Sequence, residues 1–248
     1  MSKLEQHQSV PIHVAEVIKG YVVDNCMNPG DRLPAEAELM RQFNRSRGTI
    51  REAMRILEAQ GLVKTRTGPG GGCFVHEVSE ERTSALLSNY FYFRNLTISD
   101  IYQLRKQLEP ELVANLAGTL NQQQIQELED ITREYETPPK TTEEDRNHHR
   151  SSLKFHAQLA EYSPNKLLGF FVRFMANLLT ELTITRRLYE PSNFELWREG
   201  REHQLNLIHA LKVGDRQQCR QIMLDHMILA EKLMQSQEEQ LVQKFSQF

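Results

Sequence analysis

Apolar residues recur at three- and four-residue spacings along most of the chain, and strand-type signals are confined to residues 62–75. From Pro11 to Asn25, the positions Val14, Ala15, Val17, Ile18, Tyr21 and Val22 predict a helix with one broad apolar side. Leu39, Met40 and Phe43 mark a short second helix. Ile50, Ala53, Met54 and Leu57 follow at spacings of three, one and three, which predicts a third helix with one apolar face turned to the second. Leu62–Thr67 reads as a strand, Gly68–Gly72 as a turn cluster around Pro69, and Cys73–Val75 as a returning strand.

Beyond His76 the pattern is helical throughout. A charged stretch without apolar periodicity sets a linker at 77–83, between a domain at 1–76 and one at 84–248. Ala85–Phe93 predicts an aromatic-rich helix, in which Tyr90–Phe93 are read as packing residues. Ile101, Leu104, Leu108, Leu112 and Leu116 predict the next, kinked by Pro110 near Glu109. Helices are further expected over Gln122–Tyr135 and His148–Tyr162, with a loop over Thr137–Asp145 between them. Ser163 is expected to cap a long helix reaching about Tyr189, with Pro164 at its first position. Another is expected over Glu195–Val213, and a last one continues past Leu233. The fold class is therefore mainly α: a winged helix-turn-helix followed by an all-helical bundle of six or seven helices.

The polar side of the third helix carries the first candidate chemistry. Opposite its apolar face lie Arg47, Gly48, Thr49, Arg51 and Arg55, with Arg45 just before and Ser46 placed to cap. A helix that opens with free backbone N–H groups and outward arginines suits the major groove, where arginine bonds both guanine acceptors. Gly48 removes a side chain where the helix would approach a duplex most closely. Lys64 and Arg66 flank a wing whose tip contains Gly68 and Gly70. Residues 41–66 hold seven Lys/Arg against Glu52 and Glu58, in a chain whose formal charge is −3. That local excess favours polyanion binding, whereas a solvated basic face is the plainer reading.

The winged segment resembles that of the GntR family of bacterial regulators. The resemblance runs through Gly30, Leu33–Glu36, Leu39, Phe43, Ser46–Ala53, Leu57, Gly61–Val63 and the glycine wing ending in Phe74–Val75. It implies DNA contacts by Arg47, Thr49 and Arg51, with the wing around Gly68 also touching DNA. Ala37 stands where many relatives of the FadR-like branch carry arginine, so one expected contact is missing.

The helical half is similar to the FCD ligand-binding domain of that branch, through Arg105, Glu109–Pro110, Phe155–His156, Ala160, Asn165, His203, Ala210, Gly214–Asp215 and Asp225–His226. The resemblance implies a divalent metal (zinc, nickel, manganese or iron) on His156, His203 and His226. Ser152 occupies the position where the family has an aspartate ligand. By helical spacing the three histidines point into the bundle, where a single histidine is more often a hydrogen-bonded core residue than a ligand. Arg105 has two readings: a surface ion pair of small value with Glu109, or a bidentate grip on an effector carboxylate, which the resemblance favours. A metal-free pocket, with the histidines on an acidic effector, is a further alternative.

The expected function is a homodimeric, ligand-responsive regulator of a pseudo-palindromic operator, with a small carboxylate as effector on Arg105, His156, His203 and His226. The alternative is a metal-dependent hydrolase fused to a DNA-binding head; no His-Glu-x-x-His occurs to supply its base. Cys26, Cys73 and Cys219 have no metal-type spacing, and an odd number argues for a reducing compartment. With no apolar run of about 18 residues, the expected location is the cytoplasm, without a membrane partner.

Overall fold

The computed structural model describes residues 9–185 and 192–245. The elements are α1 (Val10–Asp24), α2 (Glu36–Gln42), α3 (Arg47–Gln60), β1 (Val63–Arg66), β2 (Gly72–Val75), α4 (Glu80–Tyr92), α5 (Ile98–Leu116), α6 (Gln122–Arg133), α7 (Thr142–Glu161), α8 (Lys166–Thr185), α9 (Phe194–Val213) and α10 (Arg216–Phe245). Two compact units part between Leu86 and Leu87, inside α4.

In the first unit, Val14, Ala15 and Ile18 of α1, Leu39 of α2, and Ile50, Ala53 and Leu57 of α3 close one core with Leu33, Val63 and Val75. The turn from α2 to α3 is tight because Asn44 takes φ 50°, a left-handed conformation that asparagine tolerates better than most residues. Ser46 caps α3, its hydroxyl accepting the Thr49 N–H at 3.3 Å. Gly61 ends the helix at φ 82°, so β1 starts within two residues. Strands β1 and β2 pair antiparallel, from Val63 opposite Val75 to Arg66 opposite Gly72. The Arg32 guanidinium donates to the Gly71 carbonyl at 2.6 Å and braces the wing from outside the hairpin.

The second unit buries one continuous core formed by α5 to α10. Helix α5 packs along α10 and α8, α7 along α8, and α9 along α10 and α6. Several boundaries differ from the periodicity reading. Helix α4 starts at Glu80 rather than Ala85, because the Ser79 hydroxyl accepts the Arg82 N–H at 3.2 Å and sets an N-cap there. Helix α7 starts at Thr142, inside the expected loop. Thr141 accepts the Glu144 N–H at 3.1 Å, and Glu143, Glu144 and Asp145 favour the positive end of the helix. Helix α8 is capped by Asn165, whose side chain accepts the Leu168 N–H at 3.1 Å, so Pro164 lies ahead of the helix. Its expected end near Tyr189 falls outside the described residues. Pro110 sits inside α5, which is continuous from Ile98 to Leu116.

The aromatic stretch also departs from expectation. Only Phe91 joins the core of the second unit, whereas Tyr90, Tyr92 and Phe93 are 56%, 78% and 82% exposed. All three cysteines are free thiols, with Cys219 buried and Cys26 at the surface. No helix among the described residues is long and apolar enough to cross a membrane.

Candidate functional site

The first unit presents the side of α3 opposite its buried Ile50, Ala53 and Leu57. Arg45, Arg47, Gly48 and Arg51 are exposed and Thr49 is half-buried; Lys64, Arg66, Gly68 and Gly70 are exposed on the wing. Arg47 has only a weak surface partner, Glu36 at 3.6 Å, with its own side chain 71% exposed. Arg66 is less free than its exposure suggests, since its guanidinium lies 4.6 Å from the centre of the Phe74 ring. Thr49 and Ser46 bond each other through their hydroxyls at 2.9 Å, and the first-turn amides of Arg47 and Gly48 have no intrahelical acceptor at the positive end of the helix.

Gly48 has no internal reason to be glycine. A Cβ there would meet nothing closer than the Ser46 hydroxyl at 4.0 Å. Glycine inside a helix costs about 1 kcal/mol relative to alanine, and no close packing within the unit offsets it. Gly48→Ala is expected to stabilise the first unit by about 1 kcal/mol while weakening DNA binding, read by thermal melting and a binding titration on the same preparation. A variant that binds DNA as well as the parent removes Gly48 from the interface.

The second unit contains a buried polar network that begins on α5. Arg105 and Glu109, one turn apart, are each 1% exposed. Arg105 Nε donates to Glu109 Oε1 at 2.5 Å, and the other carboxylate oxygen receives His156 Nδ1 at 2.6 Å. Burial alone would raise the Glu109 pKa, but Arg105 and then His156 bring it down to about 2. With Nδ1–H committed to Glu109, His156 keeps its lone pair on Nε2, which lies 3.2 Å from His226 Nε2. The network thus assigns the proton of that contact to His226. Burial lowers the pKa of both rings, and for His226 the neighbouring His156, His203 and Arg105 add to the effect. Both are neutral imidazoles at pH 7.

A cavity of about 50 Å³ opens beside this network, with Arg105, His149, His156 and His226 on its wall. Ser152 is also on the wall, but its hydroxyl and carbonyl accept from Gln204 Nε2 at 3.1 and 3.2 Å. Tyr135 donates its hydroxyl to the amide oxygen of the same glutamine. Three buried nitrogens on this wall have no partner among the described residues: Arg105 Nη2, His148 Nδ1 and His149 Nε2. His203 is half-buried, its ring centre 5.4 Å from that of His226, and its Nδ1 is likewise unpartnered.

These groups make only part of a metal site. The 3.2 Å between His156 Nε2 and His226 Nε2 matches two ligands on one ion with bonds of about 2.0–2.1 Å. Beyond that pair, no group of three His, Cys, Asp or Glu among the described residues is arranged to hold a cation. Ser152 supplies no anionic ligand, the His156 lone pair is already met by His226 and, at 3.4 Å, by Gln204, and the Arg105 cation lies in the same cluster. The arrangement does not fit a divalent metal. Arg105 Nη2 is a free donor, and a neutral imidazole beside it can present an N–H, a combination that suits an anion.

Residues 13–75 match the family model described as bacterial regulatory proteins of the gntR family, and residues 100–229 match the FCD domain. The chain belongs to the GntR family. The regulator is 25% identical over 218 residues to the HTH-type transcriptional regulator LutR of Bacillus subtilis, covering 88% of this chain and 97% of that protein. It is 28% identical over 171 residues to the Glc operon transcriptional activator of Escherichia coli, covering 67% of this chain and 65% of that one. A solved GntR structure from Streptococcus agalactiae shares the fold, with a TM-score of 0.62 at 22% identity and coverage of 90% and 99%. The family and these relatives are transcription regulators rather than enzymes, so the hydrolase alternative has no support. Residues that periodicity did not single out are His149, Gln204 and Tyr135. For His149 the signal was the repeat His149–Ser152–His156, which lies on a single helical face; Gln204 and Tyr135 had none.

Proposed function

We propose that this regulator binds a pseudo-palindromic operator as a homodimer and that a small carboxylate, held in the helical unit, changes its affinity for DNA. The DNA half of the reading rests on the exposed Arg47–Arg51 edge of α3, with Gly48 bare in its middle. Two such helices about one turn of DNA apart, roughly 34 Å, would address two half-sites. Tyr90, Tyr92 and Phe93, apolar and exposed in the single chain, support pairing with a second copy.

The effector half rests on Arg105. A guanidinium 1% exposed, bonded to Glu109 through Nε and carrying an unpartnered Nη2 beside a cavity, is arranged to receive one more acceptor. To act as a switch, the ligand must bind the DNA-competent and incompetent arrangements differently. Helix α4, whose residues divide between the two units, is the covalent route for that coupling. A regulator that reads DNA in this way works in the cytoplasm.

Arg47→Ala tests the DNA reading. Loss of one base- or phosphate-directed arginine is expected to weaken operator binding by about 1–3 kcal/mol, with the oligomeric state unchanged. Fluorescence anisotropy on operator DNA and light scattering on the free protein report the two quantities. Unaltered affinity would show that α3 does not read the operator.

A further inference from the structure

We infer that the cavity beside Arg105 takes a short monocarboxylate directly on protein donors, without a bridging metal, and that His149 is the second grip that sets its specificity. This rests on the reading of the helical unit as a carboxylate-binding domain and deepens it.

Three observations carry the inference. First, the unpartnered nitrogens on the cavity wall include Arg105 Nη2 on α5 and His149 Nε2 on α7, with His148 Nδ1 a third that lies near Asp145. Burial, and after it the Arg105 charge, pushes His149 down to about 4, so the two side chains lie within electrostatic reach of each other. A neutral imidazole beside a guanidinium can donate one hydrogen bond without adding a second buried cation. An acid held there meets one charged and one neutral donor, enough for both oxygens of a single carboxylate.

Second, the candidate metal ligands include no anion, and two of the three, His156 and His226, are engaged with each other, although His203 Nδ1 is unpartnered. Glu109 gives one oxygen to Arg105 and the other to His156, and Ser152 is bonded to Gln204. The His156 lone pair faces His226 Nε2. A cation on the two Nε2 atoms would part the His156–His226 contact and sit beside the buried Arg105 charge with no anionic ligand of its own. An anion breaks none of these contacts.

Third, the space and the far wall limit the ligand. At roughly 10–15 Å³ per water-sized occupant, a cavity of about 50 Å³ has room for about four heavy atoms. Asp145 lines the same cavity, four residues ahead of His149 on α7, where the Asn193 backbone and the Ser192 hydroxyl bond its carboxylate. A second carboxylate on the ligand would be driven against it. The chemistry selected is therefore an acid of two carbons, or little larger, with one negative charge, and dicarboxylates are discriminated against by volume and by charge.

The test uses the full-length protein treated with EDTA and dialysed into an anion-poor buffer. Acetate, propionate and succinate are titrated by calorimetry and by thermal shift, each with EDTA and with added zinc or nickel. The expected result is binding of acetate or propionate that EDTA does not alter, with succinate weaker by at least about tenfold. His149→Ala is expected to weaken the monocarboxylate by roughly 10- to 150-fold, the range for one hydrogen bond to a charged group. His149→Gln, which keeps an amide donor on the helix, is expected to recover part of that loss, and melting without ligand shows whether either variant is folded. Binding that requires the metal, or His149 variants that bind as the parent does, overturns this inference and leaves the carboxylate reading in place. Binding of succinate in preference to the shorter acids overturns the size and charge argument. No binding of any of the acids under either condition overturns both.

Discussion

Glu109→Ala is expected to destabilise the helical unit by about 3–5 kcal/mol, a large fraction of the stability of an ordinary domain. The effect follows from what is left behind. Arg105 is 1% exposed and Glu109 is its anionic partner in the network, so truncation strands a charged guanidinium in the core. It also releases His156 Nδ1, which donates to the same carboxylate at 2.6 Å. Glu109→Gln tests the charge separately from the shape: it keeps one acceptor but leaves Arg105 uncompensated, and should recover only part of the loss. Replacing both members, as in Arg105→Met with Glu109→Leu, should restore much of the stability, because a buried pair gains little over an apolar pair of similar volume. That double variant should still lose the response to carboxylates. Chemical denaturation followed on the helical unit reads all three. A fall of under about 1 kcal/mol in Glu109→Ala would show that the network is solvated and that the cavity beside it is not the enclosed site described above.

The second large effect is on pH. His149, His156 and His226 all have depressed pKa values in the folded state, mainly because burial disfavours the imidazolium. For a lowered histidine the unfolded chain binds more protons, so its contribution is fully present above the unfolded value of about 6.5. It is lost as pH falls toward the folded value, which for His149 is about 4. Glu109, held at about 2, continues the same trend from about pH 4.5 downward. Asp145, raised by burial, works in the opposite direction and softens the slope. The melting temperature of the second unit is therefore expected to fall steadily between pH 6.5 and 4, and His149→Phe should flatten that slope. A parent protein with a level profile over this window would mean that the histidines protonate in the folded state. Binding of an anion beside His149 should oppose the fall, since it favours the protonated ring.

The sequence alone determined the architecture of the DNA-binding unit and the helical class of the rest, because the signals involved are local. Ile50, Ala53 and Leu57 fix the buried face of α3 by spacing, and Ser46 and Gly61 fix its ends by backbone chemistry within one turn. What could not be read locally was that the buried face of α5, which holds the expected Ile101, Leu112 and Leu116, also carries an ion pair. The repeat Ile101–Leu104–Leu108 placed Leu104 on the buried side, yet Leu104 is 56% exposed and Arg105 with Glu109 is buried instead. The bundle tolerates the buried pair because α7 supplies His156 to complete the hydrogen bonds of Glu109, a contact across 47 residues that no helical period encodes. His149 and Gln204 escaped notice for the same reason: a polar residue near the edge of a helical face belongs to solvent or to a pocket according to what packs over it. The converse held for Tyr90, Tyr92 and Phe93, whose composition suggests a core but whose neighbours in the single chain leave them exposed. Local spacing set the helices and the reading edge of α3; the meeting of α5, α7, α9 and α10 decided which polar groups would be dehydrated, and only dehydration turns an arginine and a histidine into a pocket.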